Sequence, residues 1–301
     1  MKILVTGSNG LLGQKLLSLL LSKKNETIGT GLNHDRSGLS SQYYKYVTLD
    51  ITDEKMVSEV ISNHKPDVVI NTAAMTNVDQ CESEKDTCID LNTNAVAHIV
   101  KACEANNCFL VHLSTDFIFD GKNGPYKEDD KASPVNFYGE SKLKGEQIII
   151  SSNIDYAIIR TVIVFGITPN MSRSNIILWV KNSLESGKHI QVVDDQWRTP
   201  TLAEDLAMGC YLVAKQKAKG IFNISGEEML TPLDMAYKTV NYFGLDKSLI
   251  TRADSSTFSQ PAKRPPKTGF IIDKAKSILG YKPHTFDEGI KILDEQLKAS
   301  K

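Results

Sequence analysis

Strand-like and helix-like segments alternate through the first half of this 301-residue chain, and that beat limits the fold more than any other feature. Short β-branched runs stand at KILVT (2–6), ETIGTG (26–31), YVTLD (46–50), DVVIN (67–71), FLVHLS (109–114) and YAIIRTVIVFG (156–166). Helical segments lie between most of them. In the first, Leu12, Leu16, Leu19 and Leu20 recur at i, i+4, i+7 and i+8 and line one face. Further helices are expected at about 53–63, 87–106 and 137–152. The runs at 67–71 and 109–114 are apolar at nearly every position, as in strands buried on both faces of a parallel sheet. The pattern predicts an α/β fold, a doubly wound Rossmann-type parallel sheet covered by helices.

After residue 166 the beat breaks. ITPNMSRSN reads as loop, followed by a helix over about 175–186, a short strand IQVV and the stretch DDQWRTPT. A helix over about 202–215 and a strand at GIFNIS come next, and SQPAKRPPKTG holds too much proline for either element. Residues 1–166 read as one domain, and 167–301 mainly as a smaller α/β unit interwoven with the sheet.

A net charge of −1 leaves no electrostatic footprint for nucleic acid, and the densest basic stretch, KQKAKG, reads as a solvated helix end. The cysteines at 81, 88, 103, 108 and 210 are odd in number and form no CxxC pair, which argues against a disulfide framework or a zinc site. Reduced thiols in a cytoplasmic protein are the expectation. No run approaches the roughly 18 apolar residues of a membrane span. LLSLLLSKK carries its charges after the apolar stretch, the reverse of a signal peptide. His98 and His112 lack a second ligand at metal spacing and read as packing residues; no metal is expected.

Directly behind the first strand, TGSNGLLG places glycines at Gly7, Gly10 and Gly13. A strand, a tight turn and a helix N-terminus aim backbone N–H groups, here those around Leu11 and Leu12, at an anion. Gly7 would permit the turn, Gly10 the approach of a pyrophosphate, and Gly13 close helix–strand packing. This predicts a dinucleotide cofactor, so that 1–166 would be its binding domain. Beyond the second strand, Leu32 and Asn33 stand where an NAD site usually places an acid. Arg36 there leans the reading toward NADPH over NADH, with a plain surface arginine as the alternative.

HLSTDFIFDG (112–121) delivers Ser114, Thr115 and Asp116 to the C-terminal end of an inner strand, the edge where open α/β sheets bind ligands. PVNFYGESKLKGE (134–146) places Tyr138 and Lys142 four apart at the start of a helix, on one face. Tyr-x-x-x-Lys alone carries little weight, and a second pair, Tyr211 and Lys215, falls late in a helix outside the repeat. Context selects Tyr138. Reducing a ketone with a nicotinamide hydride makes an alkoxide that needs a proton. A phenol with a pKa near 10 supplies it, and a nearby ammonium is expected to lower that pKa by about 3 units, roughly 4 kcal/mol. Lys142 is read as that ammonium and as a holder of the nicotinamide ribose, and Thr115 as a hydrogen-bonding partner of the substrate oxygen.

Together, GxxGxxG, the strand-end Ser/Thr and YxxxK resemble the extended short-chain dehydrogenases/reductases. STDFIFDG, PYKEDD, SPVNFYGESKLKGEQ and IIRT closely resemble the dTDP-4-dehydrorhamnose reductases, strongly over 1–166 and more loosely through DDQWRTPT and KRPPKTG. The resemblance implies a Rossmann domain plus a small sugar-nucleotide domain. It also implies NAD(P)H reduction of the 4-keto group of a nucleotide-activated deoxysugar, most simply dTDP-4-dehydro-L-rhamnose. Residue by residue, it makes Thr115, Tyr138 and Lys142 the catalytic trio. It sets Asp116 near the sugar, Asp50 and Ile51 beside the adenine, and Ala73, Ala74, Met75 and Asn92 along the cofactor. Arg198 and Arg264 become candidates for the substrate phosphates, with structural salt bridges as the alternative. Trp197 is either a core residue or a border of the substrate. A homodimer is left open.

Two departures concern the sugar: Phe117 replaces the family's usual tyrosine and Ile163 its usual tryptophan, and RPPKTGF lacks the family's Arg-Pro-x-x-Ser-x-Leu form. Other readings of the scaffold are a nucleotide-sugar epimerase or dehydratase, or a non-catalytic regulatory subunit resembling the methionine adenosyltransferase β subunit.

Overall fold

The computed structural model describes residues 1–169 and 174–299, so positions 170–173 of the expected loop lie outside the described residues. The chain enters through β1 (Lys2–Thr6), α1 (Leu11–Ser22), β2 (Glu26–Gly31), β3 (Tyr44–Thr48), α2 (Glu54–His64) and β4 (Val68–Asn71). It continues through α3 (Val78–Ser83), α4 (Lys85–Ile89), a π-helical turn (Asp90–Asn94), α5 (Ala95–Asn106), β5 (Phe109–Thr115), α6 (Phe137–Ile150) and β6 (Tyr156–Thr161). The second half adds β7 (Val164–Phe165), α7 (Ile176–Glu185), β8 (Ile190–Val193), β9 (Thr201–Leu202), α8 (Ala203–Gln216) and β10 (Gly220–Asn223). Last come α9 (Pro232–Phe243), β11 (Ile250–Ala253) and α10 (Phe286–Ala299).

Seven strands form one parallel sheet in the order β10-β6-β5-β4-β1-β2-β3, the doubly wound topology expected, with β10 arriving from the second half. Alternate residues of each strand face opposite layers. Ile3, Val5, Val68, Ile70 and Val111 meet Leu16, Leu17 and Leu20 of α1 and Leu206, Cys210 and Val213 of α8. Leu4, Val69, Leu110 and Ile158 meet Val57 and Ile61 of α2, Val96, Ile99 and Cys103 of α5 and Ile149 of α6. Leu16, Leu17 and Leu20 are fully buried, and each such side chain contributes about 1.5–3 kcal/mol of transfer free energy. The order reverses between β1 and β4, where the chain leaves in opposite directions and opens a crevice at the strands' C-terminal ends.

Differences from the periodicity reading have local causes. The strand expected at 46–50 runs instead over 44–48, in register with β2. The single strand expected at 156–166 breaks after Thr161. Thr201 donates its hydroxyl to the Val162 carbonyl (2.6 Å) and its N–H to the Ile163 carbonyl (3.0 Å), so β9 takes over β7 from the main sheet. Ile163 adopts φ +24°, an unusual conformation for a β-branched residue. The helix expected at 87–106 begins at Lys85 and carries the π turn. In the smaller unit α7 and α9 cover the β8–β11 pair, burying Val180, Leu184, Val192, Ala236 and Val240. No helix among the described residues is long and apolar enough to cross a membrane.

Candidate active site

At the end of β1 the glycine turn behaves as its spacing predicts. Gly7 lies at φ +64°, and a Cβ there would sit 2.8 Å from the Ala73 backbone. At Gly13 a Cβ would collide with the Gly7 carbonyl oxygen and sit 2.6 Å from Ser8 Cα. Gly10 caps α1 with no side-chain hydrogen bond, and the first turn holds no acid. Among the described residues, the first turn of α1 thus has no side-chain cap and no acid of its own, and its backbone N–H groups form a donor set that fits a dinucleotide pyrophosphate. Gly13→Ala is expected to cost about 1–3 kcal/mol by overpacking and to weaken NADPH binding. Urea unfolding and fluorescence titration of the cofactor would measure both.

The loops after β2, β3 and β4 meet this turn. Asn9 donates to the His34 carbonyl (3.0 Å) and to the Tyr46 hydroxyl (3.1 Å), and accepts from the Arg36 N–H (2.9 Å). The Tyr46 hydroxyl donates to the carbonyl of exposed Asn33. Asp35 is turned away, accepting from the Tyr44 hydroxyl (2.8 Å) and the Ser37 N–H (2.9 Å). Among the described residues, the Arg36 guanidinium forms no salt bridge. Asp50 accepts from the Thr52 N–H and hydroxyl, with Ile51 buried beside it. Ala73 and Ala74 are half-buried and Met75 is buried. Buried Asn92 accepts from the Met75 N–H (2.9 Å) and donates to the Met75 carbonyl (3.0 Å) and the Ser141 hydroxyl (3.0 Å). It shapes the 73–75 loop from behind.

Asn136 caps α6 by accepting from the Gly139 N–H (2.8 Å), which sets Tyr138 in the first turn and Lys142 one turn later. Thr115, at the end of β5, donates its hydroxyl to Asp116 (3.2 Å), accepts from the Phe117 N–H (3.2 Å) and pulls the neighbouring Tyr138 phenol toward ionisation. Burial outweighs it and holds the phenol well above its ordinary value, with the Asp116 charge adding to the rise. The expected lowering of Tyr138 by Lys142 is thus corrected. The Lys142 ammonium points instead to the Leu113 carbonyl (2.6 Å) and to His112 Nε2 (3.4 Å). Burial pulls Lys142 down to about 8. Its folded pKa is depressed, so burying this lysine costs on the order of 3 kcal/mol at neutral pH, relieved as pH rises toward its unfolded value.

A strap formed by residues 262–268 closes over the other side. Arg264 grips Asp79 of α3 with both terminal nitrogens (2.5 and 2.7 Å). Arg198 is 2% exposed; it donates to the carbonyls of Trp197 (2.8 Å), Pro265 (2.7 Å) and Pro266 (3.3 Å) and lies 3.7 Å from the Asp116 carboxylate. Both arginines are thus engaged by protein groups. Thr268 donates its hydroxyl to Asp116. Burial raises the Asp116 pKa against the pull of Arg198, Thr268 and Thr115. Phe117 lies between the Tyr138 ring (6.0 Å, edge-on) and the Arg198 guanidinium (5.6 Å). Ile163 and Trp197 are both partly exposed, and the Trp197 backbone pairs with the strap, accepting from the Thr268 N–H (3.1 Å). Missed by sequence reasoning were Thr268 and Asp79, which carry no motif. Among the described residues no three His, Cys, Asp or Glu side chains are placed to hold a metal ion.

A bare glycine turn at β1 and a buried hydroxyl pair at the sheet's C-terminal edge define an extended short-chain dehydrogenase/reductase architecture. Residues 1–298 match the family described as the RmlD substrate binding domain, and the chain belongs to that family. It is 30% identical to dTDP-4-dehydrorhamnose reductase of Aggregatibacter actinomycetemcomitans over 305 residues, covering 96% of this chain and 97% of the relative. It is also 30% identical to methionine adenosyltransferase 2 subunit beta of Mus musculus over 297 residues, covering 96% and 86%. Among solved structures, dTDP-4-dehydrorhamnose reductase from Bacillus anthracis in complex with NADP superposes with a TM-score of 0.83 at 25% identity, covering 98% and 100% of the two chains.

Proposed function

We propose that this chain is an NAD(P)-dependent oxidoreductase that reduces the 4-keto group of a nucleotide-activated deoxysugar, with dTDP-4-dehydro-L-rhamnose as its substrate and dTDP-L-rhamnose as its product. The observation that carries the reading is the Thr115–Tyr138 hydroxyl pair, buried at the edge where the glycine turn would set a dinucleotide. The cofactor, when bound, supplies the hydride. Thr115 orients the keto oxygen, Tyr138 protonates it as charge develops, and Lys142 holds the nicotinamide ribose. The glycine turn would hold the pyrophosphate, Asp50 and Ile51 would flank the adenine, and loop 73–75 would form the remaining wall. Residues 1–166 would form the cofactor domain and 167–301 mainly the sugar-nucleotide domain.

On the substrate side, Asp116, Phe117 and Ile163 border the sugar, while Arg198 and Arg264 act by fixing the strap that covers it. NADPH is favoured because Asp35 is spent on Tyr44 and Ser37 while Arg36 remains available to a 2′-phosphate. The similarity to methionine adenosyltransferase 2 subunit beta supports a second reading, a regulatory chain that keeps the pocket without turnover. An assay with dTDP-4-dehydro-L-rhamnose and NADPH or NADH in parallel decides between them. Expected is loss of reduced-nicotinamide absorbance, faster with NADPH, an advantage that Arg36→Ala removes. NADPH binding without consumption would instead mean that Phe117 and Ile163 mark a different sugar, or that the chain is regulatory and only binds.

A further inference from the structure

His112 reads from sequence as a packing residue, yet the structure places it in the middle of a buried polar chain that crosses the sheet. The Thr6 hydroxyl of β1 donates to Asn71 Oδ1 of β4 (2.5 Å) and accepts from the Ala73 N–H (3.3 Å). Asn71 Nδ2 lies 3.1 Å from His112 Nδ1 of β5, and His112 Nε2 lies 3.4 Å from the side-chain nitrogen of Lys142 of α6. Thr6, Asn71, His112 and Lys142 are all at most 3% exposed. Unmatched polar atoms at such depth cost about 1–3 kcal/mol each, so a chain of four needs partners at every link.

We infer that His112 is a positioning residue for Lys142: Asn71 and Thr6 orient its neutral ring so that Nε2 meets the lysine nitrogen, and the ring's tautomer follows the lysine's charge. This rests on Lys142 serving the reductase reaction proposed above. Hydrogen-bond polarity forces the coupling. A charged Lys142 has only donors, so Nε2 must accept and the ring proton sits on Nδ1, where the Asn71 amide must present its oxygen. A neutral Lys142 offers a lone pair, so Nε2 can donate, and Asn71 then presents its nitrogen while Thr6 donates to its oxygen. Burial and the Lys142 charge both hold the His112 pKa well below its ordinary value, so the ring does not compete as a second cation. The other groups acting on Lys142 are Cys88 from α4 and Glu146 one turn along α6, the latter gripped by Arg160 of β6. On the Tyr138 side stand Asp116 and Cys81. Because Thr6 also binds Ala73, the chain ties Lys142 to the loop expected to line the cofactor.

Three measurements test this. His112→Leu, which keeps volume but removes both nitrogens, is expected to raise the KM for NADPH about tenfold and to move the alkaline limb of the rate profile down by about one unit. His112→Gln, which retains an acceptor, is expected to restore the limb. Nitrogen-15 NMR of the wild-type ring is expected to show a neutral imidazole whose two nitrogens exchange roles as Lys142 titrates, a change lost in Lys142→Met. The NMR arm stands even where the leucine variant does not fold. Ring resonances indifferent to pH and to Lys142→Met would overturn the inference, as would an unchanged limb and KM in His112→Leu. Full turnover by both Tyr138→Phe and Lys142→Met would sink the roles given to those two residues, whereas a wild type that binds NADPH but consumes none with a 4-keto sugar nucleotide would sink the reductase reading itself. Loss of turnover in those two variants with an indifferent His112 sinks the positioning role alone.

Discussion

Tyr138→Phe is expected to lower the rate of NADPH oxidation by about 10²- to 10⁴-fold, the usual contribution of a positioned general acid, while leaving NADPH affinity unchanged. The phenylalanine ring keeps the edge-on contact with Phe117 and only the hydroxyl beside Thr115 is lost. Burial holds the Tyr138 proton firmly, which suits a reduction: the acid stays loaded across the neutral range, and an alkoxide is basic enough to take its proton. The resulting phenolate then recovers a proton readily, and its place in the first turn of α6 tempers its instability while it exists. Lys142, at about 8, titrates before Tyr138 as pH rises. Below that value the lysine carries its charge; above it the charge is lost. The rate should therefore fall along an alkaline limb near pH 8 set by Lys142. Single-turnover oxidation of NADPH across pH, in wild type and Tyr138→Phe, checks both statements, and a limb that stays near pH 8 when Lys142 is replaced by Met would refute the second.

How much of this was legible depended on whether the signal was local. The alternation of strand and helix yielded the sheet, because consecutive apolar residues in β4 and β5 can be buried only between two helical layers. The three glycines were legible for the same reason: each meets a steric demand of its own turn. α10 carries a readable pattern in Phe286, Ile290, Leu293 and Leu297, and α9 one in the capping box of Thr231 and Asp234 with Pro232 between them, so both are legible locally as well. Partners distant in sequence were another matter. Arg198 suggested a phosphate ligand, but its environment is set by Asp116 and by carbonyls 67 and 68 residues away. Arg264 meets Asp79 across 185 residues. The Lys142–Leu113 hydrogen bond redirects an ammonium that helical spacing alone would aim beside Tyr138. Spacing fixes which face of a helix a residue occupies; it says nothing of what lies opposite.

The same limit hides the interaction expected to matter most for stability. Arg160 of β6 donates to both oxygens of Glu146 on α6 (3.1 and 2.7 Å) and to the Glu128 carbonyl (2.9 Å), with its guanidinium 5.5 Å from the Phe119 ring. The two charged side chains are 5% and 0% exposed. Arg160→Met would leave Glu146 buried without its hydrogen-bonded partner, with only the charge of Lys142 one turn away, and a broken pair of this kind costs about 3–5 kcal/mol. That is about a fifth or more of the 5–15 kcal/mol stability of an ordinary domain. Urea unfolding should show a midpoint lowered accordingly, at unchanged slope. Because the penalty comes from the stranded carboxylate and not from a lost attraction, the double variant Arg160→Met with Glu146→Leu should recover most of it. Turnover separates the two roles of α6. The double variant should fold yet reduce substrate more slowly, since Glu146 is among the charges that raise the Lys142 pKa, and its removal lets the ammonium discharge at lower pH. A double variant as unstable as the single one would place the energy in the hydrogen bonds to Glu128 and the contact with Phe119 instead of in the pair.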